Sequence, residues 1–358
     1  MKQVHPQFEL NGIPLDGDAL LKVAYSWIKE GEDFQSHIGR FLLDWLSQSD
    51  TISVTTSGST GRPKTIVLKK KAMINSALAT GRFFELKPGN TAILCLPTQY
   101  IAGKMMLVRA MVLGLRLDVI APLSFPMERI VSKYDFAAMV PLQVQNSLDH
   151  IHKIETLIVG GAPISKSLKT GLAGKSNGIY ETYGMTETIT HIAVKKISGS
   201  KGKETESCFQ TLPDVGISKD DRGCLVIDAP KITDERIVTN DLVDLVGENQ
   251  FKWLGRYDNV INSGGVKLIP ERIEEKLSAL IESRFFVTGI PDEKLGEKLV
   301  LFIEGIGKGE QVLSRKIQEL RALDKFEVPK EIFYIKNFLE TPTGKVQRQN
   351  VKLEFLNS

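Results

Sequence analysis

The run Thr55-Thr56-Ser57-Gly58-Ser59-Thr60-Gly61-Arg62-Pro63-Lys64-Thr65 constrains this chain more than any other stretch. It follows a β-like segment, Ile52 to Val54, and combines hydroxyls, two glycines and two cations with no acid. Such a loop suits phosphate. Small residues let backbone N–H groups and hydroxyls approach the oxygens, and Arg62 and Lys64 add positive charge. A Walker A loop is excluded, because that motif needs a glycine directly before its lysine and Pro63 stands there. The plain alternative is a polar surface turn between a strand and a helix.

The chain has 358 residues, 42% hydrophobic and 25% charged, enough for two domains and a substantial core. A formal net charge of +3 calls for neither nucleic acid nor a membrane surface as partner. Cys95, Cys208 and Cys224 lack metal-ligand spacing, so no structural zinc is expected, and reduced thiols fit a cytoplasmic protein. No signal peptide and no long apolar run is legible, so membrane insertion is not expected.

Apolar periodicity predicts helices over 36–48, 69–84 and 101–113 and strands over 91–96, 117–122, 136–140 and 155–159. This alternation predicts an α/β fold: a large layered α/β N-terminal domain with parallel pairing. Residues 208–254 read as β-rich. A boundary at Gly255–Asp258 gives domains of 1–255 and 256–358. In the second, Pro270 and Glu271 start a helix, strands fall at 285–289 and 299–304, and a helix at 311–323, as in a small mobile α+β domain.

Other motifs carry chemistry. Gly160-Gly161-Ala162-Pro163 closes strand 155–159, and small residues at a strand's carboxyl end are where nucleotides dock in open sheets. Gly178-Ile179-Tyr180-Glu181-Thr182-Tyr183-Gly184-Met185-Thr186-Glu187-Thr188 runs a strand into a glycine turn. There an aromatic can stack on a base, a hydroxyl can bond a phosphate and a carboxylate can hold Mg²⁺. Further on stand Thr239-Asn240-Asp241, Gly255-Arg256-Tyr257-Asp258, Ser263-Gly264-Gly265 and Thr341-Pro342-Thr343-Gly344-Lys345-Val346-Gln347-Arg348.

In this order the motifs resemble those of the acyl-adenylate-forming superfamily: acyl-CoA synthetases, aryl-acid ligases, peptide-synthetase adenylation domains and firefly luciferase. The resemblance runs from about Phe41 to the end. It implies ATP, Mg²⁺, coenzyme A and a small carboxylic acid as ligands. By that resemblance Thr56, Ser57, Gly58, Ser59, Thr60, Gly61 and Lys64 grip the β- and γ-phosphates. Gly161, Ala162 and Pro163 line the adenine site, with Tyr183 against the base and Gly184 in the turn behind it. Thr186 bonds the α-phosphate and Glu187 ligates Mg²⁺; Asp241 takes both ribose hydroxyls, supported by Arg256. Asp258 matches the hinge, and Lys345 the mobile lysine that bridges the acyl carboxylate and the α-phosphate. Gly264 and Gly265 then reach the site after a domain rotation and let a pantetheine arm pass close to the backbone.

The segment Leu96 to Ala110 resembles that of the 2-succinylbenzoate–CoA ligases of menaquinone synthesis, a branch that typically reads Leu-Pro-Leu-(Phe/Tyr)-His-(Ile/Val)-Ser-Gly and then an arginine. Gly103 and Arg109 match, whereas Tyr100 stands where histidine is usual and Ala102 where serine is usual. That acid carries two carboxylates and one is activated, so a cation for the other is expected from Lys104 or Arg109. The alternative is that both snorkel to the surface. Five residues apart, they lie about 140° around a helix and are not expected to serve one group. Family members carry a longer segment ahead of the phosphate loop, so a shortened N-terminal subdomain is expected. Three readings stay open: a CoA ligase for this or another small acid, an enzyme loading a standalone carrier protein, and an adenylate-binding protein without activity. A homodimer is left open.

Overall fold

The computed structural model describes residues 3–56, 64–175, 177–198, 208–307, 310–340 and 346–357. The tip of the expected phosphate loop, Ser57, Gly58, Ser59, Thr60 and Gly61, lies outside these residues, as does Lys345.

Five parallel strands carry the site, in the spatial order Gly178–Gly184, Ile154–Val159, Tyr134–Met139, Thr91–Leu94 and Arg116–Val119. Their runs are apolar almost throughout, as in strands covered on both faces. Because side chains alternate, Ala92, Leu94 and Leu96 enter one core with Trp45, Met73 and Leu107 from the helices Asp33–Leu46, Lys70–Phe83 and Ile101–Leu113. Ile93 and Cys95 enter the opposite core, with Val144 and Leu168 from the helices Pro141–Asn146 and Lys166–Ala173. Cys95, Cys208 and Cys224 are all free and buried.

Strand Thr91–Leu94 pairs with Arg116–Val119 on one side and Tyr134–Met139 on the other. The connection out of Thr91–Leu94 runs to Arg116–Val119 and that out of Tyr134–Met139 runs the other way, to Ile154–Val159, which opens a crevice at the carboxyl ends of these two neighbours. The segment 97–103 emerges there.

Beyond Gly178–Gly184 the same sheet turns antiparallel, through His191–Lys196, Phe209–Thr211, Gln250–Arg256, Ile237–Gly247, Cys224–Asp228 and Gly216–Lys219. Thr51–Thr56 pairs antiparallel with Lys64–Lys69, a strand that was not expected, with Thr56 opposite Lys64, and the helix expected over 69–84 runs Lys70–Phe83. Ile66 and Val67 are β-branched, and outward Val67 alternates with buried Leu68, so the segment pairs as a strand before the helix begins.

The chain leaves the large sheet at Arg256, makes the short turn Tyr257–Asn259, and enters a five-stranded sheet at Ile261. Here too alternate residues face two cores. Val287 packs with Ile273 and Leu277 of the helix Pro270–Leu277, and Phe286 packs with Val351 of the helix Arg348–Leu356. Among the described residues no helix is long and apolar enough to cross a membrane.

Candidate active site

The parallel strands deliver their carboxyl ends to one edge. Gly184, last in Gly178–Gly184, passes so close to the next strand that a Cβ would lie 2.3 Å from Thr190 O and 2.5 Å from His191 Cα. The short helical turn Thr186–Thr188 follows. Thr188 Oγ1 accepts from Met185 N at 3.0 Å and lies 2.7 Å from Thr190 O, closing the turn on itself. Ile189 is driven to φ 67°, a left-handed conformation that a β-branched residue adopts only under constraint. Thr186 is therefore half-buried and Glu187 exposed at the edge, and among the described residues no side chain pairs with Glu187.

Asp241 is the centre of the neighbouring network and only 5% exposed. Tyr183 Oη donates to its Oδ2 at 2.6 Å, and Trp253 Nε1 donates to Oδ1 at 3.1 Å. Arg256 Nη1 lies 3.5 Å from the same Oδ1, and Asp241 N donates to Thr239 Oγ1 at 3.0 Å. The Tyr183 ring sits beside Phe209 and Phe251, at 5.7 and 5.2 Å between centroids. Burial, then the Asp241 charge, pushes the Tyr183 phenol above its usual range, so it stays a donor. Arg256 also reaches Asp258, 3.4 Å from Nη2, and Asn240 Nδ2 donates to both Asp258 oxygens at 3.2 and 3.1 Å. Trp253 and Asn240 had no signal in the sequence, because only the pairing of Ile237–Gly247 with Gln250–Arg256 brings them to Asp241 and Asp258.

Gly161, Ala162 and Pro163 are exposed at the carboxyl end of Ile154–Val159, with Gly161 at φ 86°. Gly264 and Gly265, at φ 57° and 83°, form a two-residue hairpin between Ser263 and Val266, a turn that needs positive φ at both positions.

Lys104 and Arg109 part company, as their spacing implies. Lys104 Nζ donates to Thr98 O at 2.5 Å and lies 5.5 Å over the Phe41 ring; Tyr100 is 47% exposed at the start of its helix. Arg109 does not snorkel: it is 1% exposed. Its Nη2 donates to Thr190 Oγ1 at 3.1 Å, two residues past the Thr186–Thr188 turn, and its Nε to Thr80 Oγ1 at 3.4 Å. Burial alone lowers the guanidinium pKa to about 9, with no acid acting on it. Gly103 has a packing reason, since a Cβ there would lie 2.4 Å from Pro97 O. Gly103→Ala must lift the helix Ile101–Leu113 off the crevice, at an expected cost of about 1–3 kcal/mol. A thermal melt of the purified variant checks this, and an unchanged midpoint contradicts it.

The residues flanking 341–345 are anchored. Glu340 and Val346 form an antiparallel bridge, and Gln347 N donates to Leu339 O at 2.8 Å. Arg348 clamps Glu274 with two bonds of 2.8 and 2.7 Å and lies 3.9 Å from Glu271. Burial nevertheless pushes the Glu274 carboxyl up to about 7, against the pull of Arg348. A carboxyl with a raised folded pKa holds a proton that the unfolded chain has released. Stability is therefore expected to fall as pH rises from the unfolded value of 4.5 to about 7, and to level off above. Denaturant midpoints across that range check the slope, and Glu274→Gln should flatten it.

Among the described residues no group of three or more His, Cys, Asp or Glu could hold a metal ion alone. One free carboxylate, Glu187, fits a Mg²⁺ that arrives on substrate phosphates and keeps several waters.

A layered α/β body with this edge, and a small second sheet behind a short turn, is the architecture of adenylate-forming enzymes. Residues 28–230 match the family described as AMP-binding enzyme, and the chain belongs to that family. It is 25% identical over 341 residues to the 2-succinylbenzoate–CoA ligase of Bacillus cytotoxicus, covering 86% of this chain and 70% of that one. Among solved structures it is similar to an acyl-CoA synthetase (AMP-forming)/AMP-acid ligase II-like protein from Dyadobacter fermentans, at 35% identity and a TM-score of 0.62, covering 93% of this chain and 97% of that one. The O-succinylbenzoate coenzyme A synthetase of Bacillus subtilis, in complex with ATP and magnesium ion, shares the fold at 20% identity and a TM-score of 0.68, covering 84% and 69%.

Proposed function

We propose that the protein is an ATP-dependent acid–CoA ligase with 2-succinylbenzoate as its acid. The observation that carries the reading is Arg109, a fully buried cation with no carboxylate beside it among the described residues, held next to the turn that bears Thr186 and Glu187. A buried charge without a counter-ion is costly. A substrate with a second carboxylate supplies that counter-ion, and the ligase relatives are named for such a substrate.

In the first half-reaction an acid oxygen attacks the α-phosphorus of ATP and the bond to pyrophosphate breaks. Asp241 takes the ribose hydroxyls, which donate to a carboxylate already fixed by Tyr183, Trp253 and Arg256. Gly161, Ala162 and Pro163 leave the base an open strand end, and Thr56 to Lys64 hold the outer phosphates. Thr186 bonds the α-phosphate, Glu187 would hold a Mg²⁺ that would neutralise phosphate charge, and Lys345 stabilises the charge that develops at the transition state. In the second half-reaction the sulfur of CoA attacks the acyl carbon and AMP leaves. The small domain, taken as 256–358, rotates about Asp258 and presents Gly264 and Gly265 to the pantetheine arm.

A product assay tests this. The protein, ATP, Mg²⁺, CoA and 2-succinylbenzoate should give AMP, pyrophosphate and succinylbenzoyl-CoA together. AMP and pyrophosphate only with other acids keeps the ligase and removes this substrate. A thioester formed only on a carrier protein favours the carrier-loading reading, and no nucleotide turnover with any acid ends the ligase reading.

A further inference from the structure

Arg109 is held by an unusual set of partners. Its Nη2 lies 3.4 Å from His191 Nδ1, and His191 Nε2 lies 3.5 Å from Thr80 Oγ1, which also faces Arg109 Nε at 3.4 Å. The bonding in this group closes in one way only. A guanidinium donates and never accepts, so Nδ1 presents a lone pair and the imidazole proton sits on Nε2. Thr80 Oγ1 donates to Ser76 O at 3.0 Å, leaving two lone pairs for Arg109 Nε and His191 Nε2. Each proton and lone pair of that hydroxyl is then matched. A protonated His191 would turn an N–H against the guanidinium. Burial first, and then the Arg109 charge, holds His191 well below its usual pKa.

The Nη1 edge of Arg109 has no partner among the described residues. Thr80, Thr190 and His191 occupy the other edges. Of these, His191 alone contacts both the guanidinium and the threonine that holds its Nε.

We infer that His191 is a positioning residue that fixes the Arg109 guanidinium so that its free edge meets the second anionic group of the acid. This rests on the ligase reading above. The substrate class that follows is an acid with two anionic groups, one activated and one recognised. His191 is also specificity-determining in this sense, because it affects only acids that carry the second group.

The test is pyrophosphate release with 2-succinylbenzoate and with 4-oxo-4-phenylbutanoate, the same keto acid without the ring carboxylate. His191→Leu removes the acceptor and should raise KM for the diacid about tenfold to a hundredfold, the range for a lost charge-assisted bond. KM for the mono-acid, KM for ATP and kcat should stay within about threefold, the usual scatter of single-contact effects. His191→Asn, whose Oδ1 takes the place of Nδ1 and can accept from the guanidinium, should restore most of the diacid KM. If the leucine variant does not fold, His191→Phe, which keeps a ring but has no acceptor, carries the same expectation. An equal loss for both acids, an unchanged diacid KM, or no rescue by asparagine overturns the inference. A wild-type enzyme that prefers the diacid, with His191 variants that keep the same preference, overturns this inference alone. A wild-type enzyme that turns over no acid overturns the ligase reading and this inference with it.

Discussion

Asp241→Ala is expected to weaken ATP binding by about 10–100-fold, from loss of a charge-assisted pair of bonds worth about 1.5–3 kcal/mol. It should also destabilise the fold, because the Tyr183 hydroxyl and Trp253 Nε1 lose their acceptor and Arg256 loses a partner. Each half-buried donor left unmatched costs about 1–3 kcal/mol. Asp241→Asn separates the two effects. Its amide oxygen can stay with Trp253 and Arg256, and the Tyr183 hydroxyl can rotate and accept from the amide nitrogen. Stability is then largely kept, while the ribose loses the carboxylate that accepts two hydroxyls. Calorimetric ATP titration beside a thermal melt reads both. ATP affinity unchanged in both variants would remove Asp241 from the nucleotide site.

Lys345→Ala is expected to slow adenylate formation by roughly two to three orders of magnitude, the effect of removing a charge contact of about 3–4 kcal/mol made at the transition state. ATP affinity should change little, since the contact is absent from the ground state. The second half-reaction should survive when the acyl-adenylate is supplied ready-made, because in the proposed mechanism the lysine acts in the first step alone. Single-turnover pyrophosphate release, set against thioester formation from synthetic adenylate, distinguishes these steps. An unchanged adenylation rate would take the role away from Lys345, and an equal loss in both steps would indicate damage to the whole small domain.

Much of the fold was legible because its signal is local. The helix Ile101–Leu113 and the strands near 91, 136 and 155 follow from apolar runs bounded by turns. The strand Lys64–Lys69 was not, since its pairing depends on a partner across the loop rather than on its neighbours in sequence. The helix Gly17–Glu30 carried a usable signal: Leu20, Val23, Ala24 and Trp27 at helical spacing, with Asp16 capping Ala19 N. Early charged residues obscured it. In the site, Asp241 and Arg256 could be named from their motifs. Trp253, Asn240 and His191 could not, because each reaches the site by strand pairing or through a buried cation, which no spacing encodes.

The three buried thiols leave the native surface without a reactive sulfur. Burial pushes the Cys95 thiol up to about 12, far from thiolate at neutral pH. A pair of cysteines introduced on exposed positions, one on each sheet, would therefore take dyes cleanly in the otherwise natural chain. Energy transfer between them would then test whether the two sheets turn against each other as ATP, acid and CoA are added in sequence. A protein with a reactive native cysteine would first have to be rebuilt to permit that measurement.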